Sequence, residues 1–127
     1  MKVIADSTVI FHNNNSQKKM NEIIKVNAIT ELYITRFNYL EVLAGASENA
    51  KVEVRKVLNT YKIIEFNSIA IQTANTLAFK HRVGSKQKID FLIAAIAIAN
   101  KLPLLTENAK DFETYKGLKL LPYNISF

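Results

Sequence analysis

The amino-acid sequence predicts a three-layer α/β fold, in which helices cover both faces of a mostly parallel central sheet of four to five strands. Short apolar segments alternate with helical segments four times along the chain of 127 residues, a pattern typical of parallel strands joined by helices. The segment 89–99 is apolar at every position except Asp90 and predicts a helix packed on most of its circumference. Because right-handed crossovers bring the carboxyl ends of parallel strands to one edge, we expect the functional residues at that edge.

The first half of the chain contains two predicted strands and three predicted helical segments. In order, these are a strand over 2–5, an apolar helix or turn over 9–11, a helix from 16 or 17 to about 27, a strand over 32–35 and a helix over 36–46. Thr35 precedes the last of these helices and is expected to cap it. The apolar side chains expected to face the core at helical spacing are Met20, Ile23, Ile24, Ala28, Phe37, Leu40 and Ala44.

The second half continues the alternation of helices and strands. In order, we predict a helix over 49–60, a strand over 62–66, a helix over 69–83, the apolar helix 89–99, a strand over 104–105, a short helix over 109–115 and an edge strand over 118–121. Asn67 and Ser68 are expected to cap the helix over 69–83. The side chains expected to face the core are Val52, Val57, Leu58, Ile69, Ile71, Ala74, Leu77 and Ala78, with Val54 on another face.

Composition excludes several classes of protein. The chain has no cysteine, which excludes disulfides, thiolate metal sites and cysteine nucleophiles. Its longest near-apolar segment is shorter than the ~18 residues that a membrane span requires, and the acid Asp6 follows only three apolar residues, too few for a signal peptide. We therefore predict a soluble cytoplasmic protein that forms a single domain over 1–127.

A basic segment precedes Asp90. The net charge is +6, and no acid occurs from 66 to 89. The cations crowded into the end of this segment are Lys80, His81, Arg82, Lys86 and Lys88. The positive potential of these residues favours a polyanionic partner. The carboxyl end of a solvent-exposed helix would carry similar residues, because cations interact favourably with the helix dipole there.

Oxygen-bearing side chains approach the predicted functional edge from four parts of the chain. Asp6, Glu41, Asp90 and the turn 106–108 all follow or flank strand ends, although each acid alone could be a helix cap or a solvent-exposed side chain. Carboxylates without His or Cys partners suit Mg²⁺ or Mn²⁺, and such an ion can promote phosphodiester hydrolysis. Without metal, the clustered acids should repel one another, so we expect a raised pKa for at least one of them and stabilisation against heat by metal.

Four motifs give the chain a resemblance to a known family. The motifs are Ile-Ala-Asp-Ser-Thr-Val-Ile at 4–10, Tyr-Leu-Glu-Val-Leu-Ala-Gly at 39–45, Asp-Phe-Leu-Ile-Ala-Ala at 90–95 and Leu-Leu-Thr-Glu-Asn-Ala-Lys-Asp-Phe at 104–112. In their order and spacing they resemble the PIN-domain ribonucleases, and among these the VapC-type toxins of toxin–antitoxin pairs. The resemblance spans nearly the whole chain and implies a PIN-like fold.

The resemblance also implies roles for individual residues. Asp6, Glu41 and Asp90 would bind Mg²⁺ or Mn²⁺, and Asn108 stands where relatives carry a fourth Asp or Asn. Asp111 is the alternative fourth acid. Thr106 and Ser7 would orient a ligand or the scissile phosphate. Thr8 stands where many relatives have Asn. Asn108 leaves the second-metal side one charge short, because an amide stands where a carboxylate could.

The implied function is that of a metal-dependent endoribonuclease toxin that cleaves structured RNA such as tRNA or rRNA, leaving a 5′-phosphate and a 3′-hydroxyl. The basic segment, with Lys80, Arg82, Lys86 and Lys88, would hold the RNA backbone. Family members are neutralised by a small antitoxin and usually form homodimers, and the helices 36–46 and 49–60 are our candidate for the antitoxin groove. A non-catalytic RNA-binding PIN domain is the alternative.

Overall fold

A parallel sheet of five strands forms the centre of the molecule in the computed structural model, which describes residues 1–10 and 17–122. The strands are β1 (Lys2–Ala5), β2 (Glu31–Thr35), β3 (Lys62–Ile64), β4 (Leu104–Thr106) and β5 (Leu120–Pro122). Their order across the sheet is β3-β2-β1-β4-β5, and every neighbouring pair is parallel. The predicted fold class is confirmed, with all of the strands parallel.

Seven α-helices connect the strands in the described residues. They are α1 (Ser7–Ile10), α2 (Gln17–Val26), α3 (Arg36–Gly45), α4 (Lys51–Leu58), α5 (Ser68–Lys80), α6 (Lys88–Asn100) and α7 (Ala109–Phe112), with short 3₁₀ turns at Glu48–Ala50 and Ser85–Gln87. Each predicted helix is present, but α5 ends three residues before the predicted 83 and α7 three residues before 115. Phe11 and Ser16, which belong to predicted helical segments, lie outside the described residues.

Both faces of the sheet are buried beneath helices. Ile4 of β1 packs in one apolar cluster with α5 and α6, whereas its neighbours Val3 and Ala5 pack in a second cluster with α2 and α4. Leu104 and Leu105 of β4 divide between the two clusters in the same way. Successive side chains of a strand point to opposite faces, so strands that are apolar at every position are covered on both sides.

Helix α6 is the buried helix that the segment 89–99 predicts. Five consecutive residues from Ile93 to Ala97 have no solvent exposure, and α5 packs along this helix. The helix ends at Asn100, and Lys101 adopts the left-handed conformation with φ of 55°. None of the helices in residues 1–10 and 17–122 has the length and hydropathy required to cross a membrane.

Several side chains expected in the core are exposed instead. These are Ala28, Leu40, Ala44, Val52, Val57, Ile69, Ile71 and Ala78. On α5, small residues such as Ala70 and Ala74 occupy the buried stripe, which lets the helix lie close to α6 and directs the larger Ile69 and Ile71 to solvent. The prediction was wrong for these positions because helices with apolar residues on several sides do not reveal which side meets the sheet.

Candidate active site

The carboxyl ends of β1 and β4 lie side by side at the centre of the sheet edge. Ala5 pairs with Leu105 in register, and the next backbone N–H, that of Asp6, donates a 2.9 Å hydrogen bond to the carbonyl of Leu105. Asp6 and Thr106 are therefore neighbours although 100 residues separate them in sequence. The prediction that these two strand ends meet is confirmed.

Two hydroxyl groups hold the nearly buried carboxylate of Asp6. Thr8 Oγ1 and Thr106 Oγ1 both donate to Asp6 Oδ2, at 3.0 and 2.9 Å. Backbone N–H groups of the turn after β4 fix these hydroxyls, since Glu107 N donates to Thr8 and Asn108 N donates to Thr106. None of the described residues donates a hydrogen bond to Oδ1, so within this part of the chain only one oxygen of Asp6 is held by hydrogen bonds.

Glu41 reaches the same edge from α3. Its side chain is exposed, and Oε1 accepts a 2.8 Å hydrogen bond from Ser7 Oγ, next to Asp6. The other oxygen, Oε2, accepts no hydrogen bond from the described residues. The glutamate thus points toward Asp6, as the sequence predicts, with one oxygen held and one available.

A buried side chain that the sequence analysis did not single out, Asn38, lies behind this contact. Its Nδ2 donates to Ser7 Oγ at 2.7 Å, and its Oδ1 accepts from both the N–H and the hydroxyl of Thr35. Thr35 and Asn38 form the capping box of α3. The signal in the sequence was a polar residue three positions after the predicted cap Thr35 and three before Glu41.

Asp90 lies half-buried in the first turn of α6. Burial, followed by the charges of Asp6, Asp111 and Glu41, raises the pKa of the Asp90 carboxyl to about 6. The expected rise of the pKa of at least one acid is confirmed. The charges of three carboxylates from other parts of the chain therefore act on the carboxyl of Asp90.

The fourth acid of this group is Asp111, on α7. Its charge contributes to the raised pKa of Asp90, whereas Asn108 is exposed and its side chain makes no capping hydrogen bond with α7. What Asn108 contributes is its backbone N–H, which donates to Thr106. Asp111, the alternative fourth acid, is therefore the additional carboxylate whose charge acts on Asp90.

The chemistry of these side chains fits a divalent cation with oxygen ligands. No Lys or Arg of the described residues forms an ion pair with the four acids; the ion pairs in this part of the chain involve Glu31, Glu53 and Glu65. The four acids thus leave negative charge uncompensated in a chain of net charge +6. Within residues 1–10 and 17–122, no three potential ligands are drawn together as a complete metal site. Carboxylate oxygens such as those of the four acids are ligands that suit Mg²⁺ or Mn²⁺, which retain several water ligands.

The basic segment lies beside the acids. His81 packs edge-on against Tyr115 with ring centroids 5.1 Å apart, and burial together with the charge of Asp90 raises the pKa of Tyr115. Tyr115, which the sequence analysis also did not single out, therefore lies between the basic segment and the carboxylates. The cations Lys80, Arg82, Lys86 and Lys88 are exposed. A cavity of about 380 Å³ opens here, lined by Ala78, His81, Val83, Lys88, Phe91 and Leu92.

Comparisons with known proteins bear on this arrangement. Solved structures with similar folds include VapBC2 from Rickettsia felis bound to a DNA fragment from its promoter, with 20% identity, a TM-score of 0.77 and coverage of 96% of this chain and 98% of that chain. DNA-bound VapBC from Salmonella typhimurium has 22% identity, a TM-score of 0.74 and coverage of 98% and 99%. A toxin–antitoxin complex from Klebsiella pneumoniae has 20% identity, a TM-score of 0.72 and coverage of 96% and 98%.

At these identities, the structural likenesses show a shared fold. A comparison with curated protein sequences gave no match. The model of the PIN domain family matches residues 3–118, a range that contains β2, β3 and β4, all of β1 except its first residue, and the acids Asp6, Glu41, Asp90 and Asp111. The chain therefore belongs to the PIN domain family.

Proposed function

We propose that the protein is a metal-dependent endoribonuclease of the VapC type, a toxin that acts on structured RNA in the cytoplasm. PIN domains are nucleases, and the observation that carries the finer proposal is that Asp90, half-buried, lies in the field of three other carboxylates, those of Asp6, Asp111 and Glu41. Burial of Asp90, followed by the repulsion from these three charges, raises its pKa to about 6. A divalent cation would relieve this repulsion.

The residues of the chain have separate tasks in this proposal. Asp6, Glu41, Asp90 and Asp111 would hold the ion, which when bound supplies Lewis-acid chemistry for phosphodiester hydrolysis. Thr8 and Thr106 fix the carboxylate of Asp6 by donating to one of its oxygens. Asn108 is the fourth ligand that the resemblance implies, with Asp111 as its alternative, and a role for Asn108 beyond its backbone contact stays a prediction.

The basic segment would bind the RNA backbone. Lys80, Arg82, Lys86 and Lys88 are exposed, and the contacts of His81 and Tyr115 connect this segment to the acid cluster. Cationic side chains provide affinity for phosphates without reading the base sequence. A structured RNA such as tRNA or rRNA would lie with its backbone on this segment and its scissile phosphate at the carboxylates. The hydroxyl of Ser7 contacts Glu41, and contact of this hydroxyl with RNA stays a prediction.

Cleavage of labelled tRNA and rRNA by the purified protein tests the enzymatic proposal. EDTA should abolish cleavage, Mg²⁺ or Mn²⁺ should restore it, and Asp6→Asn should lower the rate by about 100-fold or more, since it removes a charge from the acid cluster. Asn67→Asp is a matched control, because the side chain of Asn67 caps α5 by accepting from Ala70 N and an Asp retains that acceptor. Salt-dependent RNA binding without cleavage would instead establish the non-catalytic alternative, and cleavage in EDTA would refute the metal requirement.

A groove between α3 and α4 suits an antitoxin segment. It has a volume of about 380 Å³ and is lined by Glu41, Val42, Gly45, Ala46, Ala50 and Val54. The side chain of Leu40 is 52% exposed on the same helix as Glu41. The Klebsiella pneumoniae structure is a toxin–antitoxin complex, and a partner seated here would lie against Glu41 and exclude RNA from the acid cluster. Co-purification of the protein with the product of a small neighbouring gene tests this partner.

A homodimer is the remaining part of the proposal. Helix α5 exposes Ile69 and Phe79, at 60% and 94% of their surfaces, and a contact between two copies could bury them. Light scattering of the purified protein should give about twice the chain mass of 14.4 kDa. A mass of one chain at micromolar concentration would contradict the prediction.

A further inference from the structure

Asn38 is a fully buried polar residue on a helix. A buried amide without hydrogen-bond partners costs free energy, and Asn38 is satisfied on both sides of its side chain. Part of this network serves α3, since Oδ1 accepts from the backbone of the cap residue. Its Nδ2 points away from the helix start and donates to Ser7, 31 residues earlier in the chain. Capping accounts for the oxygen and leaves the contact with Ser7 unexplained.

The hydrogen-bond directions in this network follow from a single backbone group. The N–H of Thr35 can only donate, so the atom of Asn38 at 3.2 Å from it must be the oxygen. The amide nitrogen therefore faces Ser7, where it too can only donate. Because Ser7 Oγ accepts this bond, its single proton is directed to the other near acceptor, Glu41 Oε1 at 2.8 Å.

We infer that Asn38 is a positioning residue that acts through Ser7 to orient the Glu41 carboxylate for a divalent cation. The inference rests on the proposed function, since it takes Glu41 to be a metal ligand. An exposed glutamate on a helix samples several rotamers, and fixing them costs conformational entropy. The bond from Ser7 fixes Oε1 before metal arrives and leaves Oε2 as the oxygen that can bind it. Thr8 and Thr106 do the same for Asp6, so both acids are held through one oxygen only.

Asn38→Asp separates this role from capping. An Asp retains the acceptor for Thr35, but it cannot donate to Ser7 when ionised, and its charge draws the Ser7 proton away from Glu41. A purely electrostatic effect of the added negative charge would strengthen cation binding. Loss of positioning would weaken it, because residues that orient metal ligands typically contribute about 10- to 100-fold to affinity. The two explanations therefore predict changes of opposite sign.

Isothermal titration calorimetry with MnCl₂ measures the difference. We expect Asn38→Asp and Ser7→Ala each to weaken Mn²⁺ binding by about tenfold. The double variant should bind no more weakly than the weaker single variant, because both changes break one chain of contacts. Ser7→Thr retains the hydroxyl and should restore binding to within about threefold. The matched control Asn67→Asp introduces the same chemical change at a cap remote from the acids and should bind Mn²⁺ like the unmodified protein.

The outcomes separate this inference from the proposed function. If the unmodified protein does not bind Mn²⁺, the proposed function fails. If it binds and Asn38→Asp binds equally well or more tightly, the positioning role is overturned. If Asn38→Asp does not fold, the Ser7 variants decide, since Ser7→Ala with unchanged affinity would also overturn the inference and weaker binding restored by Ser7→Thr would support it.

Discussion

Replacing Asp90 by Asn should stabilise the metal-free protein, although the same change should remove stabilisation by metal. The Asp90 carboxyl has an ordinary pKa of 3.8, which burial and the charges of Asp6, Asp111 and Glu41 raise to about 6. A raised pKa means that the folded state disfavours the ionised acid relative to the unfolded chain. An amide of nearly the same shape has no charge to disfavour.

The size of the effect follows from the shift in pKa. About two pKa units correspond to about 3 kcal/mol, and because Asp90 is only half-buried, solvent screening reduces the expected gain to about 1–2 kcal/mol. Below the unfolded pKa both states hold the proton, so the substitution should have no electrostatic effect there. Stability of the unmodified protein falls as pH rises from 3.8 through 6, and the gain from Asp90→Asn should be complete above pH 7.

Thermal denaturation in EDTA at pH 7.5 and pH 4.5 checks this prediction. A gain of 1–2 kcal/mol corresponds to an increase in Tm of roughly 4–8 °C for a domain of this size, and the increase should be smaller at pH 4.5. Millimolar Mn²⁺ should then raise the Tm of the unmodified protein but not that of Asp90→Asn. Glu53→Gln on α4, where Glu53 forms only an exposed ion pair with Lys56, should change Tm little. A Tm for Asp90→Asn equal to or below that of the unmodified protein in EDTA at pH 7.5 would refute the reasoning.

Three further predictions concern binding. Lys88→Ala and Arg82→Ala should each weaken RNA binding and lower the slope of log K against log salt by about 1. Filter binding at several KCl concentrations measures this slope. An unchanged slope would mean that the RNA binds elsewhere on the protein. Gly45→Gln should reduce antitoxin affinity by about tenfold or more, because the longer side chain would occupy the groove. Helix α3 should stay folded, because a Cβ at Gly45 meets no atom within 4 Å. Full neutralisation of the variant by the antitoxin in co-expression would contradict this prediction. As pH rises toward the raised pKa of Asp90, about 6, Mn²⁺ affinity should increase by up to about tenfold per pH unit, and above pH 7 it should level off. The reason is that the ion must displace the proton of the Asp90 carboxyl. A calorimetric Kd that does not change with pH would argue against Asp90 as a ligand.

The sequence was sufficient to predict the sheet edge and the strand ends that meet there. Strands that are apolar at every position must be covered on both faces, and parallel strands joined by helices place their carboxyl ends together. Those two rules bring Asp6 beside Thr106, as the 2.9 Å hydrogen bond between them shows. They also place Asp90 near Asp6, because the strand that follows α6 pairs with β1.

The orientation of the helices was harder to predict, and the identity of the fourth ligand stays a prediction. Leu40 and Ile69 were expected in the core because apolar spacing alone does not fix which side of a helix meets its neighbours, and close packing of α5 on α6 favours Ala70 in that position. Asn108 matched a family position, whereas the short helix α7 brings Asp111 into the field of Asp90. The spacing of Thr35 and Asn38 could have indicated the capping box, but the contact of Asn38 with Ser7, 31 residues away, leaves no local pattern in the sequence.

The acids of the site differ in their hydrogen bonds to the protein, and this difference identifies Asp90 as the acid on which metal binding should have the largest effect. Hydroxyl groups donate hydrogen bonds to one oxygen of Asp6 and to one oxygen of Glu41. None of the described residues donates a hydrogen bond to the Asp90 carboxylate, and burial, followed by the charges of Asp6, Asp111 and Glu41, raises its pKa to about 6. Asp90 therefore weakens the metal-free fold, and it is also where a bound cation would relieve the most repulsion. Removing the charge of Asp90 should therefore raise stability while it weakens metal binding. Removing Asp6 should instead leave the hydroxyls of Thr8 and Thr106 without their charged acceptor, and it should lower stability both with and without metal.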